Sequence, residues 1–310
     1  MLDIIIPAYN SHKTINQTLL SICLQTIKDK IKVYIVNDCS TKDYQKQIED
    51  FKDVLNIKEL KLSKNSGPGV ARQYGIDHSH SEYIMFMDSD DIFYNCFSAE
   101  KIFDKINDSK YDMAVGIIGD ELVDSIVYYD NHQGNLHGKI YRRSFLKKNN
   151  IIFNNTSSSE DNSFNQLYLM AKPKIVYSDY IVYLYRYNPK SITQSNPNYH
   201  LISIKWYIYN MIWAVKQAED RKFNKKEIAS VIVSAVYYVY FCYIKNINNN
   251  NYEQILIWSK PLADMYQQFV KYLSDDEKYK LYCNYSGNYN YIVPISVNEF
   301  INRIKIYQNS

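Results

Sequence analysis

The stretch Tyr83-Ile84-Met85-Phe86-Met87-Asp88-Ser89-Asp90-Asp91 runs from uncharged apolar residues straight into three carboxylates and a serine. Acidic groups clustered at the end of a buried segment are costly unless a cation or a hydroxyl-rich ligand meets them. On extended backbone Asp88 and Asp90 face the same side, roughly 6.5 Å apart. Mg²⁺ holds its oxygens at about 2.1 Å and usually takes one or two carboxylates besides substrate phosphate. One aspartate on a metal and its partner on a sugar hydroxyl fits that spacing better than both on the metal. A solvated acidic turn would leave the same letters, so the reading depends on what else arrives at this place. A second acidic pair, Glu160-Asp161, follows Thr156-Ser157-Ser158-Ser159 and opens a helical pattern through Phe164, Leu167 and Tyr168. Carboxylates in a first helical turn are stabilised by the helix dipole, so this pair alone proves nothing about chemistry.

The elements that must position these groups alternate. Leu2 to Ile6 is an apolar strand stopped by Pro7, and Ser11 is an expected N-cap for a helix through Ile15, Leu19, Ile22 and Cys23. Ile31 to Val36 is a second strand ending in Asn37-Asp38-Cys39-Ser40-Thr41, where Ser40 or Thr41 is expected to cap a helix reaching about Val54. Ile57 to Leu62 is a third strand, followed by Ser63 to Gly69 and a helix holding Val70, Ala71, Arg72 and Ile76. The run from Tyr83 is the fourth. Such alternation predicts α/β architecture, a mostly parallel, Rossmann-like sheet with helices on both faces. Ligands in these sheets bind outside the carboxyl ends of the strands. The polar clusters Ala8-Tyr9-Asn10, Asp38, Asn65 to Gly69 and Asp88 to Asp91 should therefore meet along one edge. No G-x-G-x-x-G follows the first strand and no G-K-[ST] occurs, which argues against a dinucleotide site and a P-loop.

Further along, a helix is expected over Ser98 to Ile106, strands over Tyr111 to Ile118 and Ile126 to Tyr129, and a loop over His132 to Gly138. Ile175 to Tyr177 and Tyr183 to Tyr187 read as two more extended pieces. The character changes around Asn196-Pro197, dividing the chain into residues 1–197 and a helical region 198–310, with breaks at Asn246 to Asn251 and near Pro261. Ile228 to Ile244 carries no charge over 17 residues, the bottom of the range for a membrane span. Its apolar positions run all round and include five aromatic residues, which predicts a helix buried by neighbours. A net charge of +3 gives no argument for nucleic acid as a partner. The five cysteines form no C-x-x-C pair, so neither a disulfide framework nor a zinc site is expected. With no basic segment leading a long apolar stretch near Met1, a cytoplasmic home is expected.

Six segments in this order resemble a family 2 glycosyltransferase of the GT-A fold. They are I-I-I-P-A-Y-N (4–10), V-N-D-C-S-T (36–41), N-S-G-P-G-V-A-R (65–72), F-M-D-S-D-D (86–91), G-K-I-Y-R-R-S-F (138–145) and S-E-D-N-S-F (159–164). The resemblance implies an activated sugar nucleotide, a divalent metal (Mn²⁺ or Mg²⁺) and inversion at the anomeric carbon. It implies that Pro7, Ala8, Tyr9, Asn10 and Asp38 hold the nucleotide, with Asp38 accepting from the uracil N–H. Asn65 and Arg72 would border the base, ribose or diphosphate, Asp88 would contact the ribose, Ser89 would belong to the nucleotide-sugar site, and Asp90 would carry the metal. Asp161 would be the catalytic base. Lys139, Glu160 and Arg186 are implied as acceptor or phosphate contacts, against the plainer reading of Lys139 and Arg186 as surface cations. Asn37 departs from the Asp-Asp of many members and is read as harmless. His137 stands where relatives often have tryptophan and reads as a structural or surface residue.

The implied reaction moves a sugar from a UDP-sugar to a hydroxyl of a cell-surface polysaccharide, teichoic-acid-like polymer or glycolipid. The acceptor is then a glycan, a polyol-phosphate polymer or a lipid-linked molecule. The loop Asn65 to Gly69 and residues 139–153 mildly resemble wall-teichoic-acid glycosyltransferases. A non-catalytic sugar-nucleotide-binding or assembly subunit is the alternative. Residues 198–310 would serve acceptor binding, docking or a homo-oligomer, and the place of work would be the cytoplasm or the inner face of the membrane.

Overall fold

A computed structural model of the chain describes residues 1–107, 110–130, 134–189, 199–246, 252–286 and 295–306. Strands β1 (Leu2–Ala8), β2 (Ile31–Asn37), β3 (Asn56–Lys61) and β4 (Tyr83–Phe86) pair in parallel in the order β3-β2-β1-β4. Their registers put Ala8 beside Asn37 and Asn37 beside Lys61, while Ile5 faces Phe86. All four strands therefore end at one edge, and the acidic run after β4 lies level with the end of β1. Helices α1 (Ile15–Cys23), α2 (Gln45–Phe51) and α3 (Pro68–His78) make the crossovers. Burial of Leu2, Ile4, Ile6, Val33, Ile35 and Met85 with Ile15, Leu19 and Ile22 joins strands and helix in one apolar core.

The other half of the sheet is mixed in direction. Beyond β4 come β8 (Lys139–Arg142), β6 (Met113–Glu121), β9 (Ile175–Tyr185) and β5 (Ile92–Phe93), with β7 (Ile126–Tyr129) on the outside of β6. β8 is antiparallel to both β4 and β6, while β6 and β9 are parallel. Helix α4 (Ser98–Ile106) packs on this half, and α5 (Arg143–Lys148) and α6 (Glu160–Met170) follow. The extended piece read at 175–177 and the first three residues of the one read at 183–187 belong to the single strand β9, which ends at Tyr185. Sequence pattern missed β5, β8 and α5, each six residues or shorter, because periodicity needs more length than that to register.

Two expected caps do different work. α1 begins after Thr14, and the Ser11 hydroxyl bonds the Tyr44 hydroxyl at 3.0 Å. α2 begins only at Gln45 and ends at Phe51, and Thr41 and Ser40 bond the loop after β1. Short polar side chains bond whichever backbone partner the fold brings, and here the neighbouring loop is nearer than a helix start.

Gly75 in α3 lies against β1, where a Cβ would stand 2.4 Å from Ile5 Cγ2. Alanine gains roughly 1 kcal/mol of helix propensity over glycine, whereas overpacking costs typically about 1–3 kcal/mol. Gly75→Ala is expected to be net destabilising, measured as a lower denaturation midpoint in urea. A higher midpoint would mean that Ile5 moves aside freely.

The chain forms two compact units, Met1–Tyr168 with Lys172–Ser191, and Leu169–Ala171 with Ile192–Ser310. The second holds α7 (Tyr199–Asp220), α8 (Lys225–Lys245), α9 (Tyr252–Phe269), α10 (Asp275–Ser286) and α11 (Val297–Ile306). α8 is long and apolar enough to cross a membrane, yet 72% of its most apolar window is buried. It packs against α7, α9 and α10, and Ile232, Ala235, Val239 and Tyr243 are closed off from solvent. α9 runs through Pro261 where a break was expected. The proline costs that helix a backbone hydrogen bond, and burial of Leu256, Leu262 and Ala263 holds it together. The change of character at Asn196-Pro197, residues 132–133 of the expected loop, and residues 247–251 of the expected break lie outside the described residues.

Candidate functional site

The edge is built by stitching loops together. Asn10 takes a left-handed conformation (φ 54°), which asparagine tolerates better than most residues. Its N–H donates to Ser40 Oγ at 3.0 Å, and its Oδ1 accepts from the Thr41 N–H at 2.9 Å and hydroxyl at 3.0 Å. Pro7 and Ala8 end β1, and Tyr9 is 53% exposed at the rim. Asn37 shows why an amide suits its position. Its Nδ2 donates to Glu59 at 2.8 Å while its Oδ1 accepts from the Ser40 N–H at 2.8 Å. An aspartate there would set a second carboxylate against Glu59.

Asp38 is buried, and its two oxygens accept from the backbone N–H groups of Ser66 at 2.7 Å and Gly67 at 2.8 Å. It thus ties the end of β2 to the loop after β3. Gly67 has φ 89°, and Pro68 then opens α3. Asn65 lies exposed on this loop. Gly69 is needed because a Cβ would stand 2.7 Å from the Asn154 carbonyl and 2.9 Å from Glu160 Cγ.

Arg72, one helical turn on, is buried with its fork spread between two acids. Its Nη2 donates to Asp88 at 2.7 Å and its Nη1 to Glu160 at 2.6 Å. Nε is buried with no hydrogen-bond partner among the described residues. Burial opposes the charge on Arg72, but Asp88 and Glu160 outweigh it and hold the guanidinium protonated. Burial likewise opposes ionisation of Asp88, and Arg72 with His137 overcomes it, so that carboxyl sits below the usual carboxylate range. Glu160 is pushed up by burial, with Arg72 pulling the other way.

Two residues the sequence reading set aside complete the cluster. His137 places Nε2 3.1 Å from Asp88 Oδ2 and 3.9 Å from Asp91 Oδ2, and stacks on Tyr183 with centroids 4.8 Å apart. Asp91 accepts from the Tyr183 hydroxyl at 2.6 Å and the Arg186 N–H at 2.9 Å. Burial pushes Asp91 up to about 8, against the pull of His137. Asp90 accepts from Asn188 Nδ2 at 2.9 Å, and burial raises its carboxyl too. Ser89, between Asp88 and Asp90, is partly exposed. The third carboxylate of the run was the available signal for Asp91. His137 had none, because its partners are 49 and 46 positions away.

Lys139 is not a surface cation. It is 1% exposed, donates to the Asn135 carbonyl, and burial lowers it to about 7 although Asp161 pulls upward. Arg186 turns its side chain to Glu121 and Gln17, and its backbone N–H serves Asp91. Asp161, at the start of α6, is partly exposed. Its Oδ1 accepts from the N–H and the side-chain amide of Asn162 at 2.8 and 3.1 Å. Among the described residues its Oδ2 accepts no hydrogen bond, which leaves one oxygen for a proton from outside.

Asp88, Asp91 and His137 bring three donor atoms within 4.8 Å of one another. Oxygens on opposite sides of a cation that binds at about 2.1 Å stand about 4.2 Å apart. Shifts of a few tenths of an ångström would close this set around a divalent ion. Carboxylate and imidazole donors suit Mn²⁺, and the oxygens alone suit Mg²⁺. Asp90, the residue implied as metal ligand, lies next to this group in the chain but bonds Asn188.

Residues 3–159 match the family model for glycosyl transferase family 2. The poly(ribitol-phosphate) beta-N-acetylglucosaminyltransferase TarS of Staphylococcus aureus (strain Mu50 / ATCC 700699) is 31% identical over 199 residues, 58% of this chain and 35% of that protein. The chain thus matches about a third of that relative's length. TarP of S. aureus (strain N315), a poly(ribitol-phosphate) beta-N-acetylglucosaminyltransferase, is 26% identical over 242 residues, covering 68% of this chain and 72% of TarP. A crystal structure of S. aureus TarS 1-349 in complex with UDP superposes with a TM-score of 0.70 at 18% identity, covering 99% of this chain and 91% of that one. That likeness is one of fold, mixed α/β with C-terminal helices.

Proposed function

The chain belongs to glycosyl transferase family 2 and is a glycosyltransferase, and from that premise we propose that it moves N-acetylglucosamine from UDP-N-acetylglucosamine to a hydroxyl of a polyol-phosphate polymer, with inversion. The observation that carries the proposal is the meeting of Asp88, Asp90, Asp91 and His137 at the strand edge, joined through Arg72 and Glu160 to the start of α6, where Asp161 follows Glu160. The names of TarS and TarP support the sugar and the acceptor, and the UDP bound to TarS supports the donor.

Each residue then has a task. Tyr9, exposed at the rim, offers a face for the uracil ring. Asp38 shapes the loop from Ser66 to Gly67 and turns its remaining acceptor capacity to the base. Asp88, held by Arg72 and His137, meets the ribose. Asp161 takes the acceptor's proton at Oδ2 as the acceptor oxygen bonds the anomeric carbon. The bond from that carbon to the diphosphate breaks on the opposite face, and its electron pair leaves with UDP. Asp90, with Asp88, Asp91 and His137 as neighbouring donors, would hold Mn²⁺ or Mg²⁺, which when bound supplies Lewis-acid neutralisation of the diphosphate charge. Residues 1–197 are the catalytic domain in this reading. Residues 198–310 serve acceptor binding or docking, in the cytoplasm at the inner face of the membrane.

UDP release from UDP-N-acetylglucosamine in the presence of a ribitol-phosphate oligomer and Mn²⁺ tests the whole reading. Release of GDP from GDP-mannose alone, or no release of UDP from UDP-N-acetylglucosamine, would overturn it. Two variants test the parts by calorimetric titration of UDP. Asp90→Asn is expected to weaken binding only when Mn²⁺ is present, and Asp38→Ala with or without the metal. Wild-type affinity in both variants would remove both assignments.

A further inference from the structure

We infer that the outward face of α7, with the adjoining part of α9, is a docking surface for a bilayer that carries anionic lipid. The inference deepens the placement of the protein at the inner face of the membrane. It rests on that placement and not on the donor, the metal or the base. α7 buries Ile204, Ile208, Met211, Val215 and Ala218. The opposite side of such a helix is ordinarily polar. Here Ile202, Trp206, Tyr209 and Trp213 recur at steps of four, three and four, so they share the outward face. Ile202 is 40% and Tyr209 55% exposed, and both tryptophans are partly exposed. On α9, Ile257 is 58% exposed beside the partly exposed Trp258. Lys205 Nζ lies over the Trp258 ring, 5.8 Å from its centroid, and so joins the two helix faces. All three tryptophans of the chain therefore lie on this surface.

Its chemistry selects the partner. Indole and phenol pair an apolar body with one polar N–H or O–H, and they settle where lipid headgroups meet acyl chains. Residues 199–218 include two lysines, Lys205 and Lys216, and no acid. A lysine at the edge of such a stripe lays its stem on apolar surface and extends its ammonium toward a phosphate. On α9, Lys260 and Glu253 flank Ile257 and offset each other, so the positive balance comes from α7. A second copy apposed through the same face would bring lysines toward lysines, with no acid in that stretch to meet them. A bilayer with anionic headgroups meets them with opposite charge.

The test uses the full chain with vesicles of phosphatidylcholine, alone or mixed equally with phosphatidylglycerol. Tryptophan emission reads this surface directly, because every tryptophan lies on it. The expected result is a blue shift and co-sedimentation with the mixed vesicles, and weaker binding to the neutral ones. The triple variant Ile202→Ser, Tyr209→Ser, Ile257→Ser changes only exposed side chains and keeps all three fluorophores. It should weaken vesicle binding by on the order of 10-fold or more. Lys205→Gln with Lys216→Gln should cost about 5-fold per lysine on the mixed vesicles and leave the neutral ones unaffected. Failure of the wild type to sediment with either vesicle, or undiminished binding by the triple variant, would overturn the inference. A larger mass by light scattering without lipid, lost in the triple variant, would give the face to a second copy and overturn it too. So would an emission shift produced by a ribitol-phosphate oligomer alone, which would give the face to a glycan. UDP affinity by calorimetric titration should be the same in all variants. If the wild type binds vesicles through this face but binds no UDP, the transferase reading falls and the docking surface stands.

Discussion

Asp161→Asn is expected to lower the transfer rate by about 10²–10⁴-fold, the usual worth of a positioned general base. The amide keeps the size of the side chain and can still accept from the N–H of Asn162 through its oxygen, so α6 should start as before. What it cannot do is take a proton at the position of Oδ2. UDP affinity should survive, because the strand-edge cluster that would hold the nucleotide, Asp38 with Asp88 and Asp90, lies on other elements. Glu160→Gln is the control on the neighbouring carboxylate, expected to be milder. Transfer rate and UDP affinity measured side by side decide the matter. A near wild-type rate in Asp161→Asn, or a larger loss in Glu160→Gln, means the base has been assigned to the wrong residue.

Arg72→Met is expected to cost about 3–5 kcal/mol of stability, the range for removing one partner of a buried ion pair. The side chains of Arg72 and Glu160 are 6% and 7% exposed, so water does little to soften the loss. Asp88 keeps His137 at 3.1 Å, but Glu160 would face only Asp161 as a charged neighbour. Glu160 already has a folded pKa raised by burial, with Arg72 its main restraint, and the variant removes that restraint. A carboxyl with a raised folded pKa binds its proton more tightly in the native state, so stability falls as pH rises above the ordinary glutamate range. The deficit of Arg72→Met should therefore be largest near neutral pH and shrink toward pH 5. Urea denaturation at both pH values checks this. A loss below about 1 kcal/mol at neutral pH would put the pair in the range of a solvated surface salt bridge.

The N-terminal half of the fold was legible because its signals are local. Short apolar runs at Leu2, Ile31, Ile57 and Tyr83 each close in a polar turn, and parallel pairing aligns those turns whatever the details of packing. The order β3-β2-β1-β4 and the convergence of Asn10, Asp38, Asn65 and Asp88 along one edge follow from that regularity. Burial of Ile228 to Ile244 was legible for a related reason. A helix apolar on every face must be covered, and its tyrosines and serines favour neighbours over lipid.

What the sequence by itself determined was therefore the acidic strand end, the sheet edge that carries it, and the second acidic pair at a helix start. Only the tertiary structure decided which groups stand against them. His137 meets Asp88 across 49 residues, Tyr183 meets Asp91 across 92, and Glu160 meets Arg72 across 88. Each of these pairings needs the antiparallel turn-back through β8 and β6, built on a four-residue strand whose lysine is buried rather than solvated. Burial is the physical reason for the difference. An isolated arginine or lysine in a sequence reads as a solvated charge. Once the fold has removed water it must find a carboxylate or a carbonyl, and the partner it finds sets its role.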